Sequence, residues 1–158
     1  MSESAKKVLF LLRVALGCVM LYAGLSKLTP PGWSAAGYLQ SAQTLSGWYQ
    51  WLASPANISW VNFLNEWGLT LLGISLILGI GVRLSSALGS LVMALYYIPI
   101  LHFPYVGKTA LLVDEHIIYI LILWFFATVR AGRVYGLETW CANLAVCKKY
   151  PRLHAWFG

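Results

Sequence analysis

The residues best placed to do chemistry are Asp114, Glu115 and His116, two carboxylates and an imidazole in succession at the mouth of an apolar run that continues to Val129. Ionisable groups are costly beside hydrocarbon and are kept there mainly where they bind ions or move protons. Histidine titrates near neutral pH, and a neighbouring carboxylate can orient it, so the triplet is a candidate proton-transfer group. The simpler alternative is a helix N-terminus whose acids face the headgroups and favour the helix dipole. Successive helical side chains diverge by about 100°, so the three cannot all reach one ligand. His116 shares a face with Tyr119, Ile120 and Leu123 and is the first choice for the inward group, with Asp114 second.

Other polar groups gather at the same depth. Glu66 lies in a stripe with Asn62, Asn65, Thr70 and Gly73, all on one helical face. Lys27 ends the first apolar run, and Tyr97, His102 and Lys108 fall near the end of the third. A carboxylate aimed inward gains most by pairing, so Glu66 is expected to meet Lys27 or His116. One outcome is a purely structural network. The other is a site in which His116, Asp114, Glu115 and Glu66 handle protons and aromatic residues such as Trp67 and Tyr97 frame a flat ligand. Arg13 is a further ligand candidate, although it can also snorkel to the headgroups beside Lys7. No metal or haem is expected: the Glu-x-x-His repeat of di-iron bundles is missing, and only His102 and His116 are within plausible reach of a haem.

The elements that must position these groups are membrane helices. Of 158 residues, 59% are hydrophobic and 10% charged, and the mean hydropathy is +0.70. Four apolar runs approach the length needed to cross a core of about 30 Å: Val8–Leu28, Asn62–Val82, Leu84–Leu101 and Val113–Val129. The expected fold is therefore an all-α integral membrane protein, one domain built as an antiparallel four-helix bundle. The first run is too long for the core of a cleavable signal and reads as a retained span. With alternating spans, nine basic residues (Lys6, Lys7, Arg13, Arg83, Arg130, Arg133, Lys148, Lys149, Arg152) fall on one side and Lys27 and Lys108 on the other. The positive-inside rule then puts both termini in the cytoplasm, and this segregation argues against nucleic acid as the partner of the net charge of +6.

Gly17 and Gly24 share a face of the first helix with Arg13 and Leu21, and small residues there let another helix approach closely. Thr29-Pro30-Pro31-Gly32 stops that helix. The loop beyond is nearly uncharged and rich in Trp and Tyr; residues 35–52 are expected to form one or two interfacial helices, either an aromatic belt or a lid over a pocket. Residues 134–148 are expected to form an amphipathic helix on the cytoplasmic surface, with Val134, Leu137, Cys141 and Leu144 toward lipid. Cys18, Cys141 and Cys147 make no disulfide framework and no Cys-x-x-Cys pair.

Arg13-Val14-Ala15-Leu16-Gly17, Leu21-Tyr22-Ala23-Gly24-Leu25-Ser26-Lys27, Trp60 to Gly68 and Gly73 to Gly79 resemble the DoxX family and its DoxD-like branch. The resemblance implies a four-helix membrane protein and, for some relatives, the membrane subunit of a thiosulfate:quinone oxidoreductase. On that reading quinone is a diffusible co-substrate, Lys27 and Lys108 attract the anionic donor, and the protein lies in the plasma (inner) membrane. The expected partners are the bilayer, a quinone or lipid-like ligand, a second redox subunit and further copies of the chain. The competing reading is a non-catalytic scaffold or assembly factor that binds a lipid or a partner protein in the same cavity.

Overall fold

In hydrocarbon a chain must satisfy its own amides, and helices do this within each segment. The computed structural model describes residues 1–107 and 110–142 and is mostly helical. In chain order the helices are α1 (Glu3–Leu28), α2 (Ala36–Gln40), α3 (Ser46–Leu52), α4 (Ile58–Leu78), α5 (Val82–Ile100), α6 (Glu115–Thr128) and the short α7 (Glu138–Ala142). Between α5 and α6 the chain makes a small antiparallel meander, β1 (Leu101–His102), β2 (Tyr105–Val106) and β3 (Ala110–Leu111). The all-α expectation did not include this meander.

α1 starts at Glu3 rather than Val8 because Ser2 caps it, its Oγ accepting from the Ala5 amide at 3.2 Å, with Glu3 in the first turn. At 1.5 Å per residue α1, α4 and α5 measure about 39, 31 and 28 Å. These three are long and apolar enough to cross a membrane. α6 has 14 residues, about 21 Å, and is shorter than the expected Val113–Val129 because Asp114 caps it at one end and Val129 ends it at the other.

α1 and α4 form the most extensive interface, and the glycines explain it. A Cβ on Gly24 would lie 2.5 Å from the Thr70 amide nitrogen, and one on Gly73 2.6 Å from the Leu21 Cα. α4 and α5 are joined by a tight turn in which Gly79 and Gly81 have φ of +69° and +64°. Ser75 Oγ secures that turn, bonding to the Ile80 carbonyl at 2.6 Å and lying 2.8 Å from Ser85 Oγ. α5 and α6 pack through Gly89, which sits against Leu72 and Leu123. The main core is Leu9, Leu16, Met20, Leu69, Leu72, Leu76, Val82, Met93, Leu123 and Phe126.

At the turn end the sequence reading is corrected twice. Arg13 does not snorkel: it is fully buried, donating from Nη1 to the Ala131 carbonyl at 2.9 Å and from Nη2 to the Tyr135 carbonyl at 3.2 Å. Gly79 and Gly136 make room for its guanidinium. The helix expected from residue 134 begins only at Glu138, because Tyr135 takes a left-handed conformation (φ 49°) while its carbonyl turns to Arg13. Val134 packs on the main core instead of facing lipid. Leu144, Cys147, Lys148, Lys149 and Arg152 lie outside the described residues.

Candidate functional site

The aromatic loop folds into α2 and α3, which roof the end of the bundle over a small core of their own, including Leu39, Ala42, Tyr49, Leu52 and Val61. Proline explains how this lid is anchored. Pro99 has no amide proton to give to the carbonyl four residues earlier, so the Leu95 carbonyl is left free in the last turns of α5. Tyr49 of the lid donates its hydroxyl to that carbonyl at 3.0 Å. Tyr38 donates to the next carbonyl, that of Tyr96, and the Gln43 amide to the Pro99 carbonyl at 2.8 Å. Asn62 Oδ1 accepts from the Ala35 amide at 3.0 Å and holds the other side of the lid to α4.

Two adjacent cavities lie under the lid. The larger, 390 Å³, runs between α4 and α5 and is framed at the top by Trp48, Tyr49 and Trp60. The smaller, 280 Å³, is bounded by Lys27, Trp33 and Ser34. Tyr38, Asn65, Tyr96 and Ala35 line both, forming a partition. Tyr96 donates its hydroxyl to Asn65 Oδ1, and Asn65 donates in turn to the Val61 carbonyl at 2.9 Å. Burial pushes the Tyr38 hydroxyl up to about 12, with the charges of Tyr49 and Asp114 adding to it. Tyr38 therefore stays a hydrogen-bond donor at ordinary pH.

The triplet divides as helical geometry requires. Asp114 is the N-cap of α6, with Oδ1 accepting from the amides of His116 at 3.0 Å and Ile117 at 3.3 Å. Its other oxygen lies 2.6 Å from His116 Nδ1, and both side chains are mostly buried. If Nδ1 carries the proton, Nε2 is left as the acceptor. Glu115 is exposed. None of the three lines either cavity; the link is the His116 ring, which packs edge-on against Tyr96 with centroids 6.0 Å apart.

The remaining candidates scatter. Lys27 Nζ donates to the Ala23 carbonyl at 2.8 Å and lies 5.7 Å from the centre of the Trp33 ring. Glu66 is partly buried and makes no ion pair or side-chain hydrogen bond with any described residue. Its expected partners are engaged elsewhere, Lys27 by its own helix and His116 by Asp114. Trp67 is 44% exposed, against Phe63 and away from both cavities. Tyr97 donates to the Leu112 carbonyl at 2.6 Å and ties down the meander, while its neighbour Tyr96 faces the cavities. His102 is exposed, Arg13 is at the opposite end of the bundle, and Lys108 lies outside the described residues. Tyr38, Asn65 and Tyr96 were missed as site residues; the inward amide stripe of α4 and the helical spacing of Tyr38 in the loop were the available signals.

Residues 8–102 match the family model DoxX. The chain belongs to the DoxX family. No curated protein and no solved structure matches it. The DoxX match runs from α1 to the end of β1, so it takes in the lid and every residue lining the two cavities. The Asp114–His116 pair lies beyond it. DoxX membership together with three long apolar helices makes this a multi-pass membrane protein.

Proposed function

We propose that the larger cavity binds the head of a membrane quinone and that the chain is the membrane subunit of a quinone-linked oxidoreductase. The observation that carries this is the partition. An apolar, aromatic cavity of 390 Å³ is within the range of small-molecule sites, and its few polar groups, Tyr38, Asn65 and Tyr96, converge at one end. Reduction of a quinone to a quinol takes two electrons and two protons. His116, held by Asp114 and packed on Tyr96, acts as a relay beside the partition by taking up a proton on Nε2 and passing it on, with the exposed Glu115 and Glu66, unpaired among the described residues, as routes from solvent. Lys27 in the smaller cavity attracts an anionic donor. Thiosulfate is the donor implied by the DoxD-like resemblance, with electrons passing directly in a ternary complex or through a second subunit. In this reading α6, extended by the residues before Asp114, completes a four-span bundle in the plasma membrane. The lid lies on the outer side and both termini are cytoplasmic.

The almost wholly apolar lining of the larger cavity also suits a lipid, which keeps the scaffold reading as the alternative. Mass spectrometry of small molecules extracted from protein purified in mild detergent separates the two. Near-stoichiometric quinone is expected in the wild type and less in Tyr96→Ala of equal folded yield. Phospholipid alone, at the same occupancy in both, contradicts the quinone reading.

A further inference from the structure

A glycine inside a helix loses more conformational freedom on folding than alanine would, so its presence asks for a reason. In α1 and α4 three of the four interior glycines have one: Gly17, Gly24 and Gly73 each face the backbone of the opposite helix. Gly68 does not, since a Cβ there would meet nothing within 4 Å. What Gly68 faces is the lower part of the larger cavity. There the walls are Leu64 and Gly68 on α4 and Leu88, Leu91 and Val92 on α5. Leu64, Leu88 and Leu91 are 55%, 55% and 58% exposed. α4 and α5 share few contacts although a tight turn joins them, so the cavity continues downward as an open strip.

We propose that this strip is a side entrance through which the hydrocarbon tail of the bound quinone passes into the lipid, and that Gly68 sets which tails are accepted. The inference rests on the quinone reading of the cavity. The occupant follows from the distribution of polarity. Tyr38, Asn65 and Tyr96 stand at the lid end, and from Tyr96 to Leu88 the helix descends about 12 Å along apolar side chains at hydrocarbon depth. A molecule filling both parts has a polar head and a narrow apolar tail. A side chain at Gly68 would project into the path of that tail while leaving the head's partners in place.

The test uses the full chain in one detergent at fixed concentration, with quenching of tryptophan fluorescence as the readout, because Trp48 and Trp60 frame the cavity. The probes are a tail-less benzoquinone headgroup and its decyl-tailed analogue. Comparing variants under identical conditions cancels the partition of the tailed probe into micelles. Gly68→Phe is expected to weaken the decyl probe by about ten-fold or more and to leave the headgroup probe within about two-fold of wild type. Leu88→Phe, from the opposite wall, and the milder Gly68→Leu are expected to act in the same direction, and they carry the test if Gly68→Phe does not fold. Unchanged binding of both probes overturns the tail path while the quinone reading stands. Equal loss of both probes also overturns it, because Gly68 then acts on the head. Binding of the headgroup probe but not the decyl probe to the wild type overturns the tail path alone, and failure of both probes to bind removes the quinone reading itself.

Discussion

Alanine substitutions along the α1–α4 contact should differ in cost according to what each new methyl meets. At Gly24 the added Cβ would lie 2.5 Å from the Thr70 nitrogen and 2.9 Å from its Cα, both backbone atoms that cannot swing aside. Ordinary contact begins at 3.4 Å, so α1 and α4 must part by up to about 1 Å, and a gap of that size forfeits a quarter to a half of the dispersion energy of the atoms across it. Overpacking of this kind costs about 1–3 kcal/mol, offset by about 0.8–1 kcal/mol of helix propensity. Clashes with backbone at 2.5–2.6 Å fall in the upper part of that range, about 2–3 kcal/mol, so the net loss is about 1–2 kcal/mol for Gly24→Ala, and similar for Gly73→Ala, whose methyl would meet the Leu21 Cα at 2.6 Å. Gly17→Ala, with its nearest backbone atom at 3.0 Å, should be close to neutral. Gly68→Ala, which meets nothing, should stabilise by about 0.8–1 kcal/mol. Because one separation of the helices relieves both clashes, the double variant Gly24→Ala/Gly73→Ala should lose less than the sum of the singles, by about 0.5 kcal/mol or more. The assay is the unfolding midpoint in one detergent at one scan rate, where 1 kcal/mol is about 2–4 °C for a chain of this size. A Gly68→Ala variant as damaged as Gly24→Ala, or strictly additive singles, would refute the reasoning.

Arg13→Met should detach the segment after α6, since two hydrogen bonds from a buried charged donor are lost at about 1.5–3 kcal/mol each; faster tryptic cleavage at Arg133 and faster amide exchange from residue 131 report it. Arg13→Lys should not restore protection, because an ammonium lacks the planar fork that serves both carbonyls. Asp114→Ala should cost about 1 kcal/mol through the lost cap, whereas Asp114→Asn keeps a capping oxygen and should unfold near the wild-type midpoint. A Tyr38 hydroxyl raised from 10 to about 12 has its stabilising contribution intact below pH 10 and loses it between pH 10 and 12; the unfolding midpoint should fall more steeply across that window in wild type than in Tyr38→Phe. Glu66→Gln, which breaks no described pair, should change stability by less than about 0.5 kcal/mol.

The glycine face of α1 was legible because small residues at helical spacing have one common use beside lipid, and Gly24 and Gly73 meet backbone as that use requires. The inward amide stripe of α4 was legible for the same periodic reason: Asn62, Asn65 and Thr70 all bond inward or along the helix. The partners of Arg13 were not legible, since Ala131 and Tyr135 lie far along the chain and only the folded bundle brings their carbonyls to it. Pairing Glu66 with Lys27 failed because opposite charges at similar depth do not fix which way a flexible lysine turns, and a carbonyl of its own helix was nearer. Choosing Tyr97 over Tyr96 reflects the 100° between neighbours: sequence showed an aromatic pair at the right depth, and helix rotation alone decided which ring faces the cavity.

The measurement that bears most directly on the central claim is photo-crosslinking of an azido-quinone to the protein in native membranes, followed by peptide mapping. The account predicts adducts on the segments that hold Trp48 to Trp60 and Leu88 to Tyr96, lost when excess unlabelled quinone competes. Adducts confined to exposed positions outside the cavities, such as Phe63 and Trp124, insensitive to competitor, would contradict it.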